Sequence, residues 1–336
     1  MNLAYCRAAW TTILILVSTA VIAQDAARPG LRERLRERIE QRREAASDAS
    51  AAGTTEYSLN HGGLTRKYLL HIPAHRDPGK ALPLVIALHG GGGHAAFMAD
   101  DARYGWVGKA DREGFAVVFP NGYSRLPGGR FATWNAGQCC GDARDRNIDD
   151  VGFVRALVAD VCRKQAIDPT RIFATGMSNG GMLSHRLACD AADLVRAVAS
   201  VAGTDATTAC KPSRPVSVLH IHARDDTHVL FSGGAGKDAF RDPAKVFDLV
   251  SVPDTMSRWA ERNHCQPAPR RVLETPGAYC EAYAGCADGT RLQLCVTEEG
   301  GHAWPGAERA RRGKAPASQA IDASDVIWAF FEAAAR

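Results

Sequence analysis

The sequence predicts an α/β fold, with a mainly parallel central sheet and helices on both faces. Three observations lead there. Short continuous apolar runs such as "LPLVIAL" read as strands buried on both sides. Stretches with apolar residues at helical spacing alternate with these runs from residue 56 onward. The residues able to carry chemistry follow the ends of the runs, where open parallel sheets place their sites.

The elements follow in order. "LTRKYLLHIP" is the opening strand, and "ALPLVIALHG" is a buried strand ending in His89-Gly90. A helix-like stretch reaches Glu113, and "GFAVVFP" is the next strand. Residues 149–166, "DDVGFVRALVADVCRKQA", form a helix for which Asp149 or Asp150 supplies the cap. "RIFATG" is a strand and "GGMLSHRLAC" a helix; "AVASVAG", "PVSVLHIHA" and "RLQLCVTEE" are three more strands. "SDVIWAFFEAA" closes the chain as an amphipathic helix.

Ahead of this domain lie two other segments. Residues 1–23 hold Arg7, an apolar core from Ala8 to Val17 and small residues around Ala23, the pattern of a secretory signal. The apolar core is short for a membrane span, so export without stable membrane association is expected. Residues 24–55 alternate Arg and Glu, with only Leu31, Leu35 and Ile39 as an apolar stripe. That reads as a solvated, frayed linker helix in preference to a partner-binding one, and residues 56–336 as the globular domain.

Of the 336 residues, 46% are hydrophobic and 23% charged, enough to build a sizeable core. A net charge of +4 is too small for a nucleic-acid partner. The ten cysteines fall to nine once Cys6 leaves with the signal. In an exported chain most should be disulfides, with one left over, and Cys265–Cys286 and Cys189–Cys210 are the first pairs expected. No C-x-x-C pair supports a structural zinc.

The chemistry centres on "GMSNG", where a lone serine sits between glycines at a strand-to-helix turn. A serine nucleophile must project from the sheet, and only small neighbours fit so sharp a bend. Ser178 is therefore the candidate nucleophile, although a Gly-rich turn with an incidental serine would show the same pentapeptide. A base must take its proton. In the chain order Ser, acid, His, the histidines to consider are His228, His264 and His302. His228 lies too close to the acid, and His264 lies at a helix end beside a cysteine. His302, in the glycine-flanked loop "EEGGHAWPG", is the candidate base.

Asp225 and Asp226 both follow the "LHIHA" strand, and loop position favours Asp226 as the acid that orients the histidine. The glycines of "LHGGGG" free backbone amides for a developing oxyanion. Gly91 and Asn179, the residue after the nucleophile, are the expected donors. A different chemistry competes: His220, His222, Asp225, Asp226 and His228 are dense enough to suggest a metallohydrolase. The spacing misses the H-x-H-x-D-H form, and His220 and His222 read better as core residues.

With these residues placed, the chain resembles secreted α/β-hydrolase esterases of the polyhydroxybutyrate depolymerase and feruloyl esterase group, related to carbohydrate esterase family 1. The resemblance runs from Tyr57 to the C-terminus. It rests on "GLTRKYLLHIP", "LHGGGG", "TWNAGQCCG" with "DDVGF", "GMSNGG", "LHIHARDDTHVLFSGG" and "GGHAWPG". It implies the α/β-hydrolase fold and cofactor-free hydrolysis of small or oligomeric esters, with Ser178 as nucleophile, Asp226 as acid and His302 as base. Acetylxylan and general aryl esters are alternative substrates on the same triad, and a non-catalytic binding module is the alternative outside enzymes. Ala223 stands where the family has glycine, and Thr227-His228 where smaller or apolar residues are common, which leaves Asp226 against Asp225 open. Trp134 and Trp304 are the candidates to line the acyl or alcohol pocket, with aromatic packing under the loops as the alternative.

Overall fold

A computed structural model describes residues 53–77, 79–126, 129–239, 249–309 and 316–336. The signal segment and nearly all of the charged segment expected from the sequence lie outside the described residues.

Ten strands form one sheet in the order β1-β2-β4-β3-β5-β6-β7-β10-β9-β8. The six in the middle are β4 (Ala116–Pro120), β3 (Leu82–Leu88), β5 (Ile167–Met177), β6 (Ala197–Val201), β7 (Ser217–Ala223) and β10 (Leu292–Thr297). All six run parallel. Strands β1 (Thr54–His61) and β2 (Leu64–His71) extend one side, and β9 (Ala278–Tyr283) and β8 (Arg270–Thr275) the other, all antiparallel. The sheet starts at Thr54, two residues inside the segment read as linker.

Every strand expected from an apolar run is present. The sequence reading missed β1, β8 and β9. Strands β1 and β8 are mostly exposed or half-buried, so neither carries the apolar run that marks a central strand.

Side chains of the central strands alternate between two cores. Leu84, Ile86 and Leu88 of β3 face one way and Val85 and Ala87 the other. The first core is covered by α5 (Asp150–Lys164), α6 (Asn179–Asp190) and α7 (Val252–Arg262). The second is covered by α1 (Ala95–Met98), α2 (Asp101–Tyr104), α3 (Trp106–Glu113) and the closing helix α8 (Ala323–Ala335). The short helix α4 (Gly141–Asp145) precedes α5. Asp149 caps α5 by accepting the Gly152 amide at 2.8 Å. Asp150, the other cap expected, is instead buried on Arg66 at 2.7 Å and on the Asn135 amide at 2.8 Å.

Among the described residues four cysteine pairs are bonded: Cys189–Cys210 and Cys265–Cys286, as expected, with Cys280–Cys295 and the adjacent Cys139–Cys140. Cys162 is the free cysteine among the described residues.

Candidate active site

Four loops leave the same edge of the parallel sheet. They follow β3, β5, β7 and β10 and carry the glycines 90–93, Ser178, Asp226 and His302.

Ser178 links β5 directly to α6, with φ 55° and ψ −121°. A non-glycine residue held at positive φ is strained, and the neighbours must enforce it. They do so by close approach. A Cβ at Gly176 would lie 2.5 Å from the Gly180 carbonyl carbon, and one at Gly180 would meet the Leu88 carbonyl oxygen. The hydroxyl does not cap the helix behind it, which leaves it free for chemistry in front. It forms no hydrogen bond among the described residues. Ser178 and His302 line the same two cavities, and catalytic contacts of this kind commonly tighten only around substrate.

The neighbouring acids separate cleanly. The Asp226 carboxylate is buried and accepts from His302 Nδ1 at 2.8 Å. Its other oxygen accepts the amides of His228 at 2.8 Å and Val229 at 3.1 Å. Burial pushes the Asp226 carboxyl up, but hydrogen bonds from His222 and His302 outweigh it and hold the group well below the usual carboxylate range. Asp225 is exposed and accepts the Gly301 amide at 2.8 Å, one residue before the histidine. Of the other two histidines, His228 stacks on the His302 ring, centroids 4.6 Å apart, and His264 is exposed at the end of α7 beside the Cys265–Cys286 bridge.

The glycine loop closes on itself. The Gly92 amide donates to the Ala132 carbonyl and that of Gly93 to Gly90, so neither is available for a substrate. The Gly91 and Asn179 amides have no acceptor among the described residues, and a Cβ at Gly91 would lie 3.7 Å from that of Asn179. Both residues line the same cavity as Ser178. Paired free amides beside a serine can receive an oxyanion.

A family description, "Esterase PHB depolymerase", matches residues 67–241, which include the glycine loop, Ser178 and Asp226. The chain belongs to this family. Feruloyl esterase B of Piromyces equi is 32% identical over 71% of this chain, which spans 42% of that protein's length. A putative esterase, NocK, of Nocardia uniformis subsp. tsuyamanensis is 30% identical over 76% of this chain and 75% of its own. Among solved structures, an acetyl xylan esterase from Aspergillus awamori superposes with a TM-score of 0.55 at 14% identity, covering 83% of this chain and 99% of that one. That likeness shows a shared α/β-hydrolase fold.

In this family member the two cavities flank Ser178. The smaller, about 60 Å³, is walled by Phe97, Tyr104 and Trp304. Trp304 lines it as expected, held edge-on to Tyr104 and bonded through its indole N–H to Ser324 Oγ at 3.1 Å. The larger, about 250 Å³, is lined by Met182, Val229, Leu249, His228 and the Cys139–Cys140 pair.

Trp134 corrects the sequence reading. It is fully buried and lines neither cavity. Its indole N–H donates to the His89 carbonyl at 2.8 Å, and its backbone is gripped on both sides by the Asn179 side chain, at 2.7 Å and 3.0 Å. The tryptophan is a brace between the glycine loop and the helix that follows Ser178. His89 completes that brace: its Nδ1–H donates to the Gly90 carbonyl at 2.8 Å, and its Nε2 accepts the Gly122 amide at 3.0 Å. Burial lowers it to about 4, so it stays neutral. An asparagine directly after the serine and a histidine before a glycine run were the signals for this brace.

Among the described residues, no three His, Cys, Asp or Glu side chains converge as a metal site would require. His220 and His222 lie in series rather than around one point.

Proposed function

We propose that this chain is an exported serine esterase that hydrolyses carboxylic esters through an acyl-enzyme on Ser178. The observation that carries it is the Asp226–His302 contact at 2.8 Å, with His302 and the strained Ser178 on the wall of the same cavities. With its Nδ1–H donated to Asp226, His302 presents the lone pair of Nε2 as a base. It removes the Ser178 proton as the hydroxyl attacks the ester carbonyl. The oxyanion is met by the amides of Asn179 and Gly91. His302 then returns the proton to the leaving alcohol, and water repeats the sequence to free the acid. The chemistry uses no cofactor.

The relatives named as feruloyl and acetyl xylan esterases support aromatic or acetyl esters of carbohydrate as substrates. The family description supports hydroxyalkanoate oligomers equally. The two cavities suit an ester straddling Ser178, with an aromatic wall on one side and an apolar chamber on the other. Four disulfides fit an oxidising, extracellular or periplasmic location, and no described helix is long and apolar enough to cross a membrane.

The test is an aryl fluorophosphonate probe followed by peptide mass analysis, run beside a screen of methyl ferulate, acetylated xylan, aryl acetates and hydroxybutyrate oligomers. Covalent label on the Ser178 peptide with turnover of at least one ester class supports the reading. Label elsewhere, or turnover surviving Ser178→Ala, refutes it.

A further inference from the structure

A buried file of rings runs from the catalytic carboxylate into the core between the sheet and its helices. Trp259 on α7 donates its indole N–H to His185 Nδ1 on α6 at 2.9 Å. His185 Nε2 lies 3.4 Å from His220 Nδ1, and His220 Nε2 lies 3.0 Å from His222 Nδ1. His222 Nε2 ends the file 2.8 Å from the Val229 carbonyl and 3.3 Å from Asp226 Oδ2, the oxygen that also receives His302. All four rings are at most 1% exposed. His220 and His222 share one face of β7 because they are two residues apart.

The direction of this file is set from both ends. An indole N–H can only donate, so His185 Nδ1 must be the acceptor. A neutral imidazole has one donor and one acceptor, so the His185 proton is on Nε2 and points at His220 Nδ1. The same logic passes the donor along to His220 Nε2 and then to His222 Nε2. At the far end a carbonyl and a carboxylate can only accept, which demands the same arrangement. Burial disfavours charge on two of the rings: it lowers His185 to about 4 and His220 well below its ordinary range. The charged groups at its ends are Asp205 with Arg262, beside His185, and Asp226, which also receives the His302 ring.

We propose that Trp259, His185, His220 and His222 form a one-way hydrogen-bond file that positions the Asp226 carboxylate and moderates its pull on His302. The proposal rests on reading Asp226 and His302 as triad members. These four are positioning residues, since none lines either cavity beside Ser178. The mechanism is competition at one oxygen. The His222 N–H occupies Asp226 Oδ2 alongside His302, so that oxygen offers less stabilisation to a charged His302. His302 Nε2 is thereby left better able to accept the serine proton.

The experiment compares His222→Leu with His222→Gln, whose amide N–H can stand where Nε2–H stands. His222→Leu should move the acid limb of the kcat/KM profile upward by roughly half to one pH unit, because Asp226 loses a donor. Turnover should fall on the order of ten- to a hundredfold, as when a supporting partner of a functional histidine is removed. His222→Gln should return the limb close to its native position. Equal losses in both variants with the limb unmoved would mean that His222 only fills space, and would overturn the proposal. Nitrogen-15 spectra of the histidine-labelled native protein supply a reading free of both folding and activity. All three rings should carry the proton on Nε2, with His185 and His220 neutral across pH 5–8, and any of the three carrying it on Nδ1 refutes the file. If Ser178→Ala retains turnover while the tautomers are as stated, the triad has failed and the file has not. If the tautomers differ while Ser178→Ala is dead, the reverse holds.

Discussion

Asp225 and Asp226, neighbours in sequence, hold the same loop at adjacent points: one accepts the Gly301 amide and the other His302 Nδ1, both at 2.8 Å. One anchors the backbone beside His302, and the other touches the imidazole itself. Asp226→Asn should therefore lower turnover by about four orders of magnitude, since an amide favours the wrong imidazole tautomer and cannot balance its charge. Asp225→Asn keeps an oxygen for the Gly301 amide and should cost less than about tenfold, through loop geometry alone. Steady-state kinetics on variants with matching circular dichroism decide between them. A crippled Asp225→Asn beside a working Asp226→Asn would move the acid by one residue.

Ser178→Ala and His302→Ala should each remove nearly all ester hydrolysis. The double variant should be little worse than either, because members of a triad act as one unit. Chelators should leave turnover unchanged. Activity lost to EDTA and restored by zinc would redirect attention to a metal-bound water.

The positions of Ser178, Asp226 and His302 were legible because each directly follows an apolar run, and the end of a buried parallel strand is visible in one dimension. The strand order was not legible, since β4 inserts between β2 and β3 through contacts that no local pattern encodes. Trp134 misled because an aromatic residue in a loop looks the same whether it faces a cavity or braces a turn. What distinguishes the two is the Asn179 amide, which is distant in sequence but grips the Trp134 backbone. His220 and His222 were readable as core residues from their place in a buried strand. The rest of the file was not, because it is completed by His185 and Trp259, which come from two separate helices.

The buried histidines make stability fall on mild acidification. His89 and His185 titrate near 4 when folded, against 6.5 for an ordinary histidine. Between those values the unfolded chain binds more protons than the folded one, so stability is complete above pH 6.5 and is lost as pH falls toward 4. His220, lowered further, acts in the same direction. Asp226, held below its ordinary range, keeps its stabilising charge across this window and loses it only at lower pH. Denaturant midpoints measured from pH 7 to pH 4 should decline steadily. A flat profile would show that these rings are not kept neutral by burial.

Asn179 serves the fold and the chemistry at once, and two substitutions separate the roles. Its side chain accepts the Trp134 N–H and donates to the Trp134 carbonyl, while the residue itself lines the cavity beside Ser178. Asn179→Ala strands two buried backbone groups, which should cost roughly 2–3 kcal/mol. For a domain of this size that lowers the melting temperature by roughly 3–5 °C. Turnover should fall with it, as the brace between the glycine loop and the nucleophile slackens. Asn179→Asp can still accept the Trp134 N–H and places a negative charge at the start of α6, which the helix N-terminus favours. The same charge lies next to the point where an oxyanion would form and opposes it. The aspartate variant should therefore melt closer to the native protein than the alanine variant, yet turn over more slowly. Calorimetry and kcat measured on the same preparations test this inversion. If turnover simply tracks melting temperature across the pair, the Asn179 amide is not receiving the oxyanion, and the donors must be sought elsewhere along the glycine loop.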